Sequence, residues 1–313
     1  MIFEILTSAP ILFFLLGLFS RLIRSDLEIP HPLPKLFSIY VLVAIGIQGG
    51  IHLASASFAL DYLKVFATAI LGSFGIAAVA YALFKQFTNV ANAASLAASY
   101  GSISAITFIT GTALLDKLQI DYGPYMVAVM ALMESPAILM AMFFYTKNTK
   151  NSTSSLLQIF RHSIANQSIV LLLGSFFIGL LIAGAKISPF YEGIFHGMLT
   201  LFLLDLGLAV AKRFEDVKNA PSGLFFSAIF LQVAMAFAAF FLSIFLGFTK
   251  GDTFLLMLLF GSASYIAAPA AMRSAVPEAN PSLYLSLALG ITFPFNILVG
   301  IPLYLWVVQQ YGG

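Results

Sequence analysis

Gly101-Ser102-Ile103-Ser104 and Gly261-Ser262-Ala263-Ser264 are two copies of one small, polar phrase, each set inside an apolar stretch. The proline-bearing runs one helix later match too. Glu134-Ser135-Pro136-Ala137-Ile138-Leu139-Met140 answers to Phe293-Pro294-Phe295-Asn296-Ile297-Leu298-Val299, at nearly the same distance from its Gly-Ser phrase. The chain therefore reads as two copies of one unit, and the unit must live in an apolar surrounding.

Composition names that surrounding. The 313 residues are 60% hydrophobic and 9% charged, where a soluble domain carries about 25% charged residues. Nearly every window of about 20 residues is apolar, enough to cross a hydrocarbon core about 30 Å thick. Barrel strands would alternate apolar and polar residues; these runs do not, so the expected fold is an all-α integral membrane protein. The absence of cysteine excludes disulfides, thiol catalysis and thiolate metal sites. A net charge of +2 without any Lys/Arg-rich run gives no support for nucleic-acid binding. The first apolar run comes after Glu4 and lacks a basic start and a small-residue cleavage site, so it reads as a retained helix.

Ten apolar segments can be marked, at about 3–22, 34–54, 62–84, 92–115, 122–146, 165–185, 191–211, 221–248, 253–274 and 281–310. Five precede the longest polar stretch and five come after it. The expected organisation is a first five-helix repeat over 1–148, a linker over 149–162, and a second five-helix repeat over 163–313. An odd number of spans per repeat turns the second copy upside down, the inverted plan of many secondary transporters. Alternate loops place Arg21, Arg24, Lys35, Lys85, Lys147, Lys150, Arg161, Lys212, Arg213, Lys218 and Arg273 on one side, and only Lys64, Lys117, Lys186 and Lys250 on the other. The richer side is expected to be cytoplasmic, which puts the linker inside and both termini outside.

Segments four and nine are the least suited to remaining plain helices. Gly101, Ser102, Ser104 and Thr107 crowd the first, and Ser262, Ser264, Tyr265 and Pro269 the second. A break there frees amide N–H groups at a half-helix start, which suit an anion, and carbonyls at the other end, which with serine hydroxyls suit Na⁺. Small-residue clusters also serve plain helix packing, and that reading stands beside the first. Glu134, near the middle of segment five, is an ionisable group at membrane depth and the leading candidate for ion coupling; the alternative is a neutral carboxyl hydrogen-bonded to a nearby serine. Its counterpart in the second copy is not acidic, and Asn296 is the polar group there. Asp205 and its repeat counterpart Gln48 either line the path or cap an internal network. Pro136 and Pro294 either shape the site or only kink their helices. Asp116, Asp121, Asp216, Asp252 and Glu278 fall at loop positions and are expected to be solvated. The scattered His31, His52, His162 and His196 make no metal set. No Walker loop, dinucleotide fingerprint or nucleophile elbow occurs, so no cofactor and no enzymatic activity is expected.

Gly101-Ser102-Ile103-Ser104-Ala105-Ile106-Thr107, Ile120-Asp121-Tyr122, Met133-Glu134-Ser135-Pro136-Ala137, the stretch from Arg273 to Ser282 and Ile301-Pro302-Leu303 together resemble the sodium-dependent bicarbonate transporter family of cyanobacteria. The likeness runs from segment two to segment ten, and the phrase Pro277-Glu278-Ala279-Asn280-Pro281-Ser282 is its most specific part. The resemblance implies ten helices divided into a core and a gate domain, a homotrimer in a bacterial inner membrane, and Na⁺-coupled uptake of bicarbonate. Residue by residue, Ser104 and Thr107 match the family's hydroxyls, Glu134 stands where the family has Asp, and Ser262 and Ser264 match its second serine cluster. Na⁺ would then sit at Ser104, Thr107 and Glu134. Two departures bear on substrate: Tyr265 replaces an acidic residue, and Ala268-Pro269-Ala270 replaces Gly-Pro-Pro. The middle loop is also shorter than in cyanobacterial members, so the resemblance does not by itself imply a PII-like regulatory partner. The alternatives are another small anion, coupled to H⁺ or Na⁺, and a non-transporting membrane sensor or scaffold.

Overall fold

In hydrocarbon a backbone has no water to bond, and its N–H and C=O groups must be closed within helices. The computed structural model describes residues 6–30, 32–55, 61–149, 167–182, 191, 193–213 and 221–312, and among these there is no strand. The first half comprises α1 (Ala9–Leu22), α2 (Leu33–Ser55), α3 (Asp61–Phe84), α4 (Val90–Gly101), α5 (Ala105–Leu118), α6 (Met126–Leu132) and α7 (Glu134–Asn148). The second comprises α8 (Gln167–Leu181), α9 (Phe195–Lys212), α10 (Ser222–Leu246), α11 (Lys250–Phe260), α12 (Ala267–Ala275), α13 (Pro281–Leu287), α14 (Phe293–Phe295) and α15 (Ile301–Tyr311). Helix lies on each of the ten apolar segments. Among the described residues seven helical stretches are long and apolar enough to cross a bilayer, with Val90–Leu118 taken as one; Ala9–Arg21 and Ile169–Leu181 are shorter apolar helices. Apart from Thr149, the expected linker, with Lys150, Arg161 and His162, lies outside the described residues, as do His31, Lys186, Asp216 and Lys218.

The helices sort into two sets by packing. The most extensive contacts join α2 to α8 and α1 to α9, and α9 also packs on α2, so these four form one layer. Glycine permits both crossings. A Cβ at Gly17 would strike the Leu204 carbonyl and one at Gly207 the Phe14 carbonyl; at the other crossing, Gly179 faces the Ile47 carbonyl and Gly50 the Phe176 carbonyl. In every case the carbonyl lies three residues before the facing glycine. The remaining helices pack on one another, with α4 between α3 and α7 and α11 against α10.

Segments four and nine break as the sequence predicts, and both begin with a side-chain cap. The Asn89 carboxamide accepts from the Asn92 N–H at 2.8 Å, and the Thr249 hydroxyl from the Asp252 N–H at 3.2 Å. The residue three past each cap then reaches another segment: Asn92 Oδ1 accepts from the Asn280 N–H and Asp252 Oδ1 from the Gly123 N–H, each at 2.7 Å. Asp252 also accepts from the Tyr125 hydroxyl at 2.6 Å and is 2% exposed, which corrects its expected solvation. It lies within the first turn of α11, where a carboxylate meets freed N–H groups and the positive helix end. Glu278 is exposed, yet it accepts from the Tyr145 hydroxyl at 2.8 Å.

Segment five carries a break that the sequence does not foretell, at Met133 between α6 and α7. Proline clashes with the carbonyl four residues earlier; for Pro136 that is Leu132, the last residue of α6. Segment ten meets the same problem twice and widens instead. Its π-helical turns, Ala288–Thr292 and Asn296–Gly300, contain Gly290 and Leu298, which stand four residues before Pro294 and Pro302. A π turn accommodates one extra residue. Pro124 and Pro281 are 157 residues apart, whereas Pro136 and Pro294 are 158 apart, so the matched phrases slip by one residue across the first π turn.

Candidate functional site

The two breaks lie against each other. Gly101 and Gly261 end α4 and α11, and a Cβ on either would press into α3 at Ala77 or α10 at Ala236. The chains then exchange hydrogen bonds: the Ser264 N–H donates to the Ser99 carbonyl at 2.7 Å, and the Ser104 N–H to Ser262 Oγ at 3.0 Å. Ser262 Oγ in turn donates to the Leu259 carbonyl at 3.1 Å. One link is thus direct, while a serine hydroxyl is interposed in the other. The first break restarts as a helix under Ser104 as its N-cap, whereas α12 has no side-chain N-cap and its second residue is met by Ser264 from before the helix. Ser104 Oγ accepts from the Thr107 N–H at 3.2 Å and the Thr107 hydroxyl at 2.9 Å, and Ser264 Oγ accepts from the Ala268 N–H at 3.2 Å.

The carbonyls freed at the ends of α4 and α11 are also met. The Asn296 amide donates to the Gly261 carbonyl at 2.8 Å. The Ser73 hydroxyl is shared between the Gly101 carbonyl at 2.9 Å and the Met133 carbonyl at 2.7 Å, tying the break of segment four to that of segment five. Sequence reading missed Ser73; the signal was a buried hydroxyl at mid-span in Gly72-Ser73. Thr292, also missed, pairs with the Tyr100 hydroxyl at 2.7 Å.

Ser104, Glu134, Ser264 and Tyr265 line one cavity of about 20 Å³ together with Ala105, Ile106, Ile266 and Ala267, where α5 and α12 begin. Both half-helix N-termini therefore face it. Its other wall is α2, through Ser38 and Leu42. The volume suits one water-sized occupant. Glu134 is 5% exposed, and its Oε2 has no hydrogen-bond partner among the described residues. The alternative of a carboxyl satisfied by a serine is thus not realised at that oxygen. The Tyr265 ring packs edge-on against Phe293 at 5.4 Å, and Phe293 against Phe14 of α1 at 5.5 Å.

The other sequence candidates sit around this centre or away from it. Gly101, Ser102, Thr107, Ser262 and Asn296 build the crossing without lining the cavity, and the Ser102 hydroxyl is buried without a partner among the described residues. Pro136 and Pro294 mark the distortions of segments five and ten. Gln48 donates to the Tyr191 carbonyl at 3.1 Å, and Asp205 is half-buried on α9; both belong to the crossed-helix layer. Among the described residues no group of His, Asp and Glu could hold a metal ion by number and proximity.

A multi-pass helical membrane protein with two broken helices crossing beside a buried carboxylate is built as transporters are, with irregular backbone only where it lines a cavity. The chain belongs to the Na⁺-dependent bicarbonate transporter superfamily, whose sequence profile matches residues 9–309. No curated protein matches it significantly.

Proposed function

We propose that this protein is a secondary transporter that takes up a small anion, bicarbonate first, together with Na⁺ by alternating access. The observation that carries this reading is the convergence of two half-helix N-termini and an unpartnered buried carboxylate oxygen on one cavity. Glu134, when charged, is itself the anion those helix ends attract. A cation bound to it neutralises that charge and releases the N–H groups of α5 and α12 to a substrate anion. Cation binding thereby favours anion binding, the cooperativity that symport requires. A cavity for one water is too small for bicarbonate, so the substrate-loaded site requires the wall carrying Ser38 and Leu42 to move away from the crossing.

The inverted repeat belongs to the same reading. It is supported by the paired caps at Asn89 and Thr249, the matching acceptors Asn92 and Asp252, and the two identically built glycine crossings. The crossed layer of α1, α2, α8 and α9 would be the gate and the remaining helices the core, rocking one against the other. A homotrimer rests on family membership alone. A bacterial inner membrane with both termini outside rests on family membership and the cation asymmetry.

Uptake of labelled bicarbonate by proteoliposomes, with and without an inward Na⁺ gradient, is the test. Na⁺-dependent accumulation is expected, and its absence removes both substrate and coupling from the reading. Glu134→Gln supplies the neutral state permanently. It is expected to abolish the Na⁺ dependence of anion binding while leaving the anion KM within about tenfold, a change of about 1.4 kcal/mol; an unchanged Na⁺ response would remove Glu134 from the coupling site. A second reading, H⁺ in place of Na⁺, is favoured by Tyr265. The cavity offers one carboxylate where the family pattern supplies a further acid, and one carboxylate can carry a proton unaided. Uptake driven by a pH gradient without Na⁺ would select it.

A further inference from the structure

A second, far larger cavity of about 1120 Å³ lies between the N-terminal parts of α1 and α9 and the C-terminal part of α5. It is much larger than a small inorganic anion requires, and its walls are mostly apolar: Ile11, Phe13, Leu114, Leu199 and Ile301 among them. At the rim, Phe13, Ile194 and Leu201 remain 37%, 43% and 39% exposed, so apolar surface runs from the crevice onto the outside of the helices and gives a hydrocarbon chain an entry. The two charged groups on its lining stand at the end of α5, while Ser8, Thr110 and Thr200 are spread along the walls. Asp116 and Lys117 are adjacent there and exposed, with His196 of α9 opposite. Tyr122 lies beside Asp116, and a carboxylate can accept from more than one donor. Lys117 makes no ion pair among the described residues.

An apolar crevice with one acid and one base at its mouth complements an amphiphile carrying one phosphate and one ammonium. We propose that this crevice binds a bilayer phospholipid with a primary-amine, zwitterionic headgroup, its phosphate on Lys117, its ammonium on Asp116 and an acyl chain between α1, α9 and α5. The amine matters because it brings hydrogen-bond donors to the carboxylate, which a quaternary ammonium lacks. The acyl chain wedges α5, which begins at the crossing of the broken helices, away from the α1–α9 pair. Lipid composition would then set how readily the two helix sets move past each other.

The single tryptophan makes the site accessible to measurement without any flux assay, so the outcome is independent of the transport reading. Phe13→Trp in a Trp306→Phe background places a fluorophore on the crevice wall. The protein is reconstituted into phosphatidylcholine vesicles doped in turn with chain-brominated phosphatidylethanolamine, phosphatidylcholine or phosphatidylglycerol over the same series of mole fractions. The ethanolamine lipid should quench at the lowest mole fraction. Asp116→Asn should bring ethanolamine and choline lipids level. Lys117→Gln should weaken the ethanolamine lipid about fivefold, the equivalent of about 1 kcal/mol for one cation near a phosphate. Equal quenching by all three lipids in the parent protein would mean ordinary lipid contact and overturn the proposal. Strongest quenching by phosphatidylglycerol would make this a plain anion site and overturn it too, and so would the absence of quenching by any of them.

Discussion

Ser102 and Ser262 stand at the same place in two matching phrases, and their hydroxyls have opposite duties. Ser262 Oγ accepts the Ser104 N–H and donates to the Leu259 carbonyl, whereas Ser102 Oγ is buried and unpartnered among the described residues. Removing a partner from a buried N–H costs about 1–3 kcal/mol. Ser262→Ala should therefore lower the unfolding free energy by about that amount, read from the denaturation midpoint of detergent-purified protein. Ser102→Ala removes no bond and should leave the unfolding free energy within about 0.5 kcal/mol of the parent. An equal loss of stability in both variants would show that the asymmetry of the crossing is wrong. The phrases and Glu134 were legible in the sequence because hydroxyls, glycines and a carboxylate are conspicuous in an apolar run. Which serine carries structure was not, because that depends on how two distant breaks meet. Asp252 shows the converse error: its position near a loop suggested solvent, and only the approach of Gly123 and Tyr125 from segment five buries it.

At the scale of elements, the spans and the two main breaks could be read from hydrophobic runs and small-residue clusters. The distortions of segments five and ten could not be read in form, since a proline in a membrane helix permits a kink, a break or a widened turn, and neighbours decide among them. At Pro136 the neighbour is Ser73. Its hydroxyl serves the Met133 carbonyl released by the break and the Gly101 carbonyl at the end of α4. Ser73→Ala should leave both without that donor and cost about 1–3 kcal/mol. The loss should exceed that of Thr110→Ala, whose hydroxyl bonds only a carbonyl of its own helix. Matching midpoints for the two variants would show that the junction of α3, α4 and α7 draws little from this hydroxyl. Segment ten has Asn296 in the corresponding duty, donating to the Gly261 carbonyl, and its π turns set the register that brings Asn296 there.

For the whole molecule, the arrangement divides labour between a layer that is stiff and a crossing that is sensitive. Glycine-to-carbonyl contact at both crossings holds α1 close on α9 and α2 close on α8, so the layer is suited to move as a body. Its α2 places Ser38 and Leu42 on the cavity that Glu134 and the starts of α5 and α12 line from the other side. If transport requires this wall to withdraw, fixing it must stop transport. The absence of cysteine permits a direct trial: Ser38→Cys combined with Ala267→Cys, joined by a short bis-thiol reagent or by oxidation. Each single variant should transport. The cross-linked pair should not, and reductant should restore uptake in the disulfide form. The cross-linked protein should still bind Na⁺ at Glu134, because the cavity already has room for one small occupant with the wall in place. Uptake at the parent rate in fully cross-linked protein would show that α2 and α12 stay together through the cycle, and the moving boundary would then lie elsewhere than between the crossed layer and the broken helices.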